Sequence, residues 1–143
     1  MTIRQCLVLV ALFVTLTRTQ TQAAAAQEEL QELTDDTFEH LTQATTGATT
    51  GDWLIEFYVP WCAHCRSLLP TMEAISEELQ PQGINVAKVN CARGGELTCR
   101  RMDVKEYPTI IYFRHGKLYK FQEQDRSKEK LMEFVNVRNT HAG

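Results

Sequence analysis

The chain has no Asn-x-Ser/Thr acceptor, so N-glycosylation is not expected. It has no basic patch and no interleaved aromatic stripe, which sets nucleic acid aside as a partner. Internal repeats are absent, and 143 residues are too few for two domains. The apolar run at residues 6–16 falls short of the roughly 20 residues that span a bilayer. Cys-x-x-Cys occurs once, at Cys62 and Cys65, while Cys91 and Cys99 stand far apart without a knuckle spacing. A four-cysteine zinc site therefore lacks its second half, and neither metal nor cofactor is expected. The C-terminal "VRNTHAG" carries no Lys-Asp-Glu-Leu-type retrieval signal.

What is there begins with a secretory signature. A basic "MTIR", the apolar "CLVLVALFVTL" and the small residues Ala23 to Ala26 predict a signal peptide over 1–26 and one domain over 27–143. An uncleaved anchor is the competing reading. Cleavage removes Arg4, Arg18 and Cys6 but no acid, leaving a chain more acidic than the −3 of the whole. Four cysteines then remain. An even number in an oxidising compartment suggests two disulfides, with three connectivities open.

The pattern along the chain is strand–helix alternation closed by a hairpin. A short strand near Leu30–Leu33 precedes a helix with Thr34 or Asp35 as N-cap and Phe38 and Leu41 facing inward. Residues 44–52 read as a polar loop, and the almost continuous apolar run 53–59 as a strand covered on both faces. A helix from Cys62 to Gln80 turns Leu68, Leu69, Met72, Ile75 and Leu79 inward, with a kink expected at Pro70. A strand at 84–90, a short helix in "GGELTCRRMDV", a hairpin of 108–113 and 117–122, and a Ser127-capped helix complete the order. This order predicts an α/β fold, a three-layer α/β/α sandwich around a mixed sheet.

Position makes the Cys62/Cys65 pair a reactive dithiol. A two-residue loop closes too little chain entropy to be a useful staple. Cys62 falls at a strand-to-helix junction, where free backbone amides and the positive helix end stabilise a thiolate. Cys65 lies one turn further in and is more sheltered. The expected pair is an exposed attacker and a buried resolver.

"WLIEFYVPWCAHC", "AKVNC" and "EYPTIIYF" resemble, in order and spacing, the catalytic domain of the protein disulfide isomerase family, over roughly residues 28–137. "GDWLIEFYVPWC" and "YPTIIYFRHGKLY" are most similar to its membrane-anchored thioredoxin-related members. The resemblance implies a thioredoxin fold, with Cys62 as nucleophile and Cys65 resolving the mixed disulfide. It implies that His64 places positive charge near the Cys62 sulfur, where the bland alternative is a solvated helix histidine. Glu56, which an edge strand would expose, is buried in the family pattern and relays the Cys65 proton. Lys88 matches its charge partner, or else snorkels out of the sheet. Arg126 matches an arginine that lowers the Cys65 pKa, against a plain surface arginine. Pro108 matches the cis-proline loop, and Trp61, Tyr107, Pro108 and Thr109 would receive a client chain as an added strand. Ala63 departs from the usual glycine, which predicts altered rate or potential without loss of activity.

For "NCARGGELTCR", Cys91 ends a strand, Cys99 sits in the next helix, and Gly94 and Gly95 permit the turn between them. Some family members carry a similar pair, and a structural Cys91–Cys99 disulfide is expected. The implied function is a thiol–disulfide oxidoreductase or isomerase acting on unfolded or disulfide-bonded secretory proteins. Its redox partner would be an oxidase or glutathione, and it would act as a monomer in the endoplasmic reticulum lumen or after secretion. Competing readings are a client-binding redox chaperone with slow turnover and a secreted thioredoxin-like reductase; a trapping module usually lacks the resolving thiol that Cys65 supplies.

Overall fold

In a computed structural model, the structure describes residues 29–47 and 51–140. Residues 1–28, which include the expected signal peptide, residues 48–50 of the polar loop and residues 141–143 lie outside the described residues. Among the described residues, no helix is long and apolar enough to cross a membrane.

The elements run β1 (Gln31–Leu33), α1 (Phe38–Thr42), β2 (Asp52–Tyr58), α2 (Ala63–Leu79), a 3-10 turn (Gln80–Gln82), β3 (Ile84–Asn90), α3 (Glu96–Arg101), β4 (Thr109–Arg114), β5 (Lys117–Lys120) and α4 (Lys128–Thr140). The five strands form one sheet in the order β1-β3-β2-β4-β5. β1 and β2 lie parallel to β3, whereas β4 runs antiparallel to β2 and β5 to β4. β2 is central, and Trp53 through Phe57 are all buried, as the continuous apolar run requires.

Period-2 alternation divides the core between the two faces of the sheet. Leu54, Val86, Ile110 and Tyr112 pack under Leu68, Met72, Ile75 and Leu79 of α2 and Leu131, Phe134 and Val135 of α4. Ile55, Phe57, Val89, Ile111 and Phe113 face Phe38 of α1 and Cys99 of α3 on the other side. The result is the three-layer α/β/α sandwich, with the C-terminal ends of β2 and β3 at one edge.

Local signals explain several boundaries. α2 runs unbroken through Pro70. Gly83, at φ +75°, closes the 3-10 turn. His115 and Gly116 both have positive φ, which builds the tight two-residue hairpin turn between β4 and β5. β5 is shorter than the run 117–122 predicted, although the Phe121 amide still donates to the Ile110 carbonyl. Ser127 sits just before α4, its carbonyl accepting from the Leu131 amide and its own amide donating to Asp125 Oδ1.

The expected cap of the first helix is replaced by a longer-range arrangement. α1 begins at Phe38 after a Thr34–Thr37 turn. Asp35 instead reaches the start of α3, accepting from the Leu97 amide at 3.1 Å, the Thr98 amide at 2.7 Å and the Thr98 hydroxyl at 2.8 Å. Gly95 occupies the α3 N-cap position and has no side chain to do this. A Cβ there would lie 2.5 Å from Val89 Cγ1 and 2.8 Å from the Asn90 oxygen, so only glycine fits. Partial burial pushes the Asp35 carboxyl up, but its bonds to Thr98 and Leu97 and the Arg100 charge outweigh this and hold it below the usual aspartate value. Asp35→Ala should cost about 1 kcal/mol, the usual value of an N-cap. A lowered carboxyl pKa means this contribution is present above the ordinary aspartate value and is lost as pH falls through the lower folded one. Urea melts at pH 7 and at pH 3 check this: the wild-type advantage over Asp35→Ala should shrink at pH 3.

Candidate active site

Pro60 ends the covered strand β2, and the chain turns at once into α2, bringing the dithiol to the carboxyl end of the parallel strands. The Cys62 amide donates to the Val59 carbonyl, and the Cys62 carbonyl accepts from the Arg66 amide. Cys62 is the N-cap of α2 in extended conformation, and its Sγ accepts from the Cys65 amide at 3.2 Å. A thiolate at this sulfur would therefore sit on an unpaired helix amide at the positive end of the helix. Cys62 is half-buried, while Cys65 is only 3% exposed. The two are joined as a disulfide, with Cα atoms 5.3 Å apart.

Beneath Cys65 lies a cavity of about 60 Å³ lined by Glu56, Tyr58, Pro60, Cys65, Arg66, Leu69 and Lys88. It is roomy enough for an ordered water. Glu56 is 2% exposed, and its Oε1 makes no hydrogen bond. Burial pushes this carboxyl up to about 7, against the opposing pull of the Lys88 charge. Glu56 and Lys88 are direct neighbours across β2 and β3. Lys88 is buried along its stem, and its ammonium reaches the exposed Glu29 at 2.9 Å. It is thus a charge near Glu56 whose hydrogen bond goes elsewhere.

The other predicted residues surround the helix start. Tyr107–Pro108 is a cis peptide. Trp61 is 72% exposed, not packed in the core, and Tyr107 is also exposed. Thr109 is buried, its hydroxyl donating to the Glu106 carbonyl at 2.7 Å. His64 and Arg126 line one open groove of about 280 Å³ with Ser67, Leu68, Thr71, Pro108 and Gln124. The Arg126 guanidinium reaches the Gln124 carbonyl at 3.5 Å. Arg126 is therefore on the groove side of α2, whereas the cavity beneath Cys65 is bounded by Arg66.

Two cavity residues escaped the sequence reading. Arg66 donates to the Pro60 carbonyl at 2.8 Å, tying the loop before the dithiol to the helix after it. Tyr58 donates to Glu32 Oε2 at 2.6 Å, closing the cavity toward β1. Burial and the Glu32 carboxylate raise the Tyr58 phenol above its ordinary value. Tyr58 lies two residues beyond Glu56, so strand periodicity puts both on one face. No comparable signal marks Arg66.

Cys91 and Cys99 form the second disulfide. Cys99 packs among Val89, Phe57 and Ile111, on the sheet face opposite Glu56 and α2. The Cys91 amide donates to the Tyr58 carbonyl, extending the β2–β3 pairing by one residue.

The thioredoxin family model matches residues 29–137. A thioredoxin domain-containing protein of Theileria parva is 44% identical over 109 residues, covering 76% of this chain and 49% of that protein. Protein disulfide isomerase-like 2-2 of Oryza sativa is 38% identical over 117 residues, covering 80% of this chain and 30% of that protein. The chain thus spans half or less of these relatives. Among solved structures, the J-Trx1 fragment of ERdj5 aligns with a TM-score of 0.64 at 31% identity, covering 77% of this chain and 51% of that one. The first thioredoxin domain of mouse protein disulfide-isomerase A4 aligns at 0.66 and 24% identity, covering 86% and 90%, a likeness of fold. These matches agree with the resemblance read from the motifs and support thiol–disulfide chemistry at the Cys-x-x-Cys pair. The chain belongs to the thioredoxin family, with Cys62 and Cys65 as its redox cysteine pair.

Proposed function

We propose that the protein is a thiol–disulfide oxidoreductase with isomerase capacity, acting on disulfide-bonded clients of the secretory pathway. The observation that carries this reading is the asymmetry of the pair: Cys62 half-exposed on the Cys65 amide, Cys65 buried over a cavity lined by Glu56, whose Oε1 makes no hydrogen bond. In the reducing direction, the Cys62 thiolate attacks one sulfur of a client disulfide and the other sulfur leaves as a thiolate. Cys65 then gives its proton to Glu56 across the cavity, and its thiolate attacks Cys62 Sγ. The Cys62–client bond breaks, the second client thiolate leaves, and the Cys62–Cys65 disulfide forms. Two electrons pass from the dithiol to the client, and the reverse sequence oxidises a client dithiol. Isomerisation follows when the first client thiolate attacks elsewhere in the client before Cys65 acts.

The exposed Trp61 and Tyr107 supply an apolar rim for the client, and the His64–Arg126 groove offers it further surface. The relatives among protein disulfide isomerases and the ERdj5 neighbour favour an endoplasmic reticulum or secretory setting. The test is insulin reduction with glutathione recycling, paired with recovery of activity from a scrambled, fully oxidised ribonuclease. Turnover in both supports the proposal. A protein that binds insulin by mixed disulfide without turnover would instead be a retention module.

Glu56 makes a second check. It accepts a proton only as the carboxylate, so single-turnover resolution should rise through about pH 7 and level off above it. Glu56→Gln should slow resolution about a hundredfold, removing that pH step while leaving the first attack by Cys62 unchanged. Because its folded pKa is raised, Glu56 adds stability below pH 4.5 that is lost as pH rises through about 7. Glu56→Gln should therefore melt higher than wild type at pH 8, even as its resolution rate falls.

A further inference from the structure

Glu56, Lys88 and Glu32 occupy aligned positions on β2, β3 and β1, so their side chains share the face that carries Cys65. One ammonium therefore stands among several carboxylates. Glu32 accepts from the Tyr58 hydroxyl. Lys88 gives its ion pair to Glu29, just before β1, whose side chain is 80% exposed. The buried Glu56 Oε1, on the adjoining strand, is left without a hydrogen bond. A buried carboxyl would ordinarily hold the nearby ammonium more firmly than an exposed one, since screening weakens the exposed pair. The observed pairing is the reverse.

We propose that Glu29 is a positioning residue: by holding the Lys88 ammonium at the cavity edge, it limits how far Lys88 favours the Glu56 carboxylate. Glu29 thereby sets the pH at which Glu56 becomes a base. The groups that share the cavity with Glu56 are Lys88 from β3, Tyr58 on its own strand, and Cys65 and Arg66 from α2; beyond them on the β1 side, Glu29 holds Lys88 and Glu32 holds Tyr58. Its β4 neighbour, Ile110, carries no charge. Of these, Lys88 is the cation within the sheet, and Glu29 is the residue that draws it outward. The functional consequence rests on the proton-relay reading of Glu56, whereas the placement of Lys88 does not.

The experiment titrates the Glu56 side-chain carboxyl by 13C NMR in the disulfide form, where the cysteines do not titrate. In Glu29→Gln, the freed ammonium turns to Glu56, and the midpoint should fall by about half a unit, the scale of an exposed ion pair. Lys88→Met should raise the midpoint, and adding Glu29→Gln to it should change nothing further, because the effect passes through Lys88. Glu29→Asp should restore part of the wild-type value. A Glu29→Gln midpoint equal to wild type overturns the proposal, including when its melting temperature falls, since that would mark a merely structural contact. A further shift in the Lys88→Met background overturns it as well. Single-turnover resolution is measured on the same variants. If the NMR midpoint moves and the rate profile does not follow, the relay reading fails while the placement of Lys88 by Glu29 stands.

Discussion

Cys65→Ser should accumulate covalent adducts with client proteins, and Cys62→Ser should accumulate none. The two cysteines lie one helical turn apart in the chain but differ widely in access. Cys62 can meet a client, while Cys65, 3% exposed, can meet only Cys62 and the cavity below it. Electrostatics point the same way. The Cys62 sulfur accepts from the Cys65 amide at the start of a 17-residue helix, so its thiolate is favoured. Its pKa in the reduced protein should lie below that of an ordinary thiol. Insulin reduction should drop to the uncatalysed rate in Cys62→Ser. In Cys65→Ser the first attack should proceed, and non-reducing gels should show adducts that dithiothreitol removes. Alkylation at pH 6 that labels Cys65 before Cys62 would reverse the assignment.

Replacing Cys91 and Cys99 together with Ser should lower stability without lowering catalysis. Their bond joins residues eight apart in sequence, on the sheet face away from Glu56 and α2. Loop closure of this length contributes roughly 2.6 kcal/mol on the chain-entropy estimate. For a domain of this size, that is a fall of about 10 °C in Tm. Asp35 and the tight fit at Gly95 hold α3 independently of the disulfide, so the double mutant should still fold. Circular dichroism melts and insulin turnover, measured on the same preparation, separate the two effects. A folded double mutant that has lost turnover would mean a second redox centre.

Patterns that act over short spans were legible in the sequence. The buried run of β2, the helical spacing of Leu68, Met72, Ile75 and Leu79, and the position of Cys62 at a strand-to-helix junction all follow from period, burial and helix-end chemistry. These sufficed for the sandwich, for an accessible Cys62 beside a buried Cys65, and, with the family resemblance, for the Cys91–Cys99 pairing. Pairings that depend on strand register and on long, flexible side chains were not legible. Asp35 reads as the cap of the helix beside it, but the tertiary fold carries it to α3, because Gly95 leaves that helix end without a side chain. Lys88 reads as the partner of Glu56, but the β1–β3 pairing brings Glu29 within its reach, and a lysine stem can turn either way. Arg126 and Arg66 differ in the same manner: only the packing of α2 decides which one borders the cavity under Cys65. Residue type and spacing chose the chemistry of the dithiol. The meeting of distant charges around Glu56 was decided by the sheet.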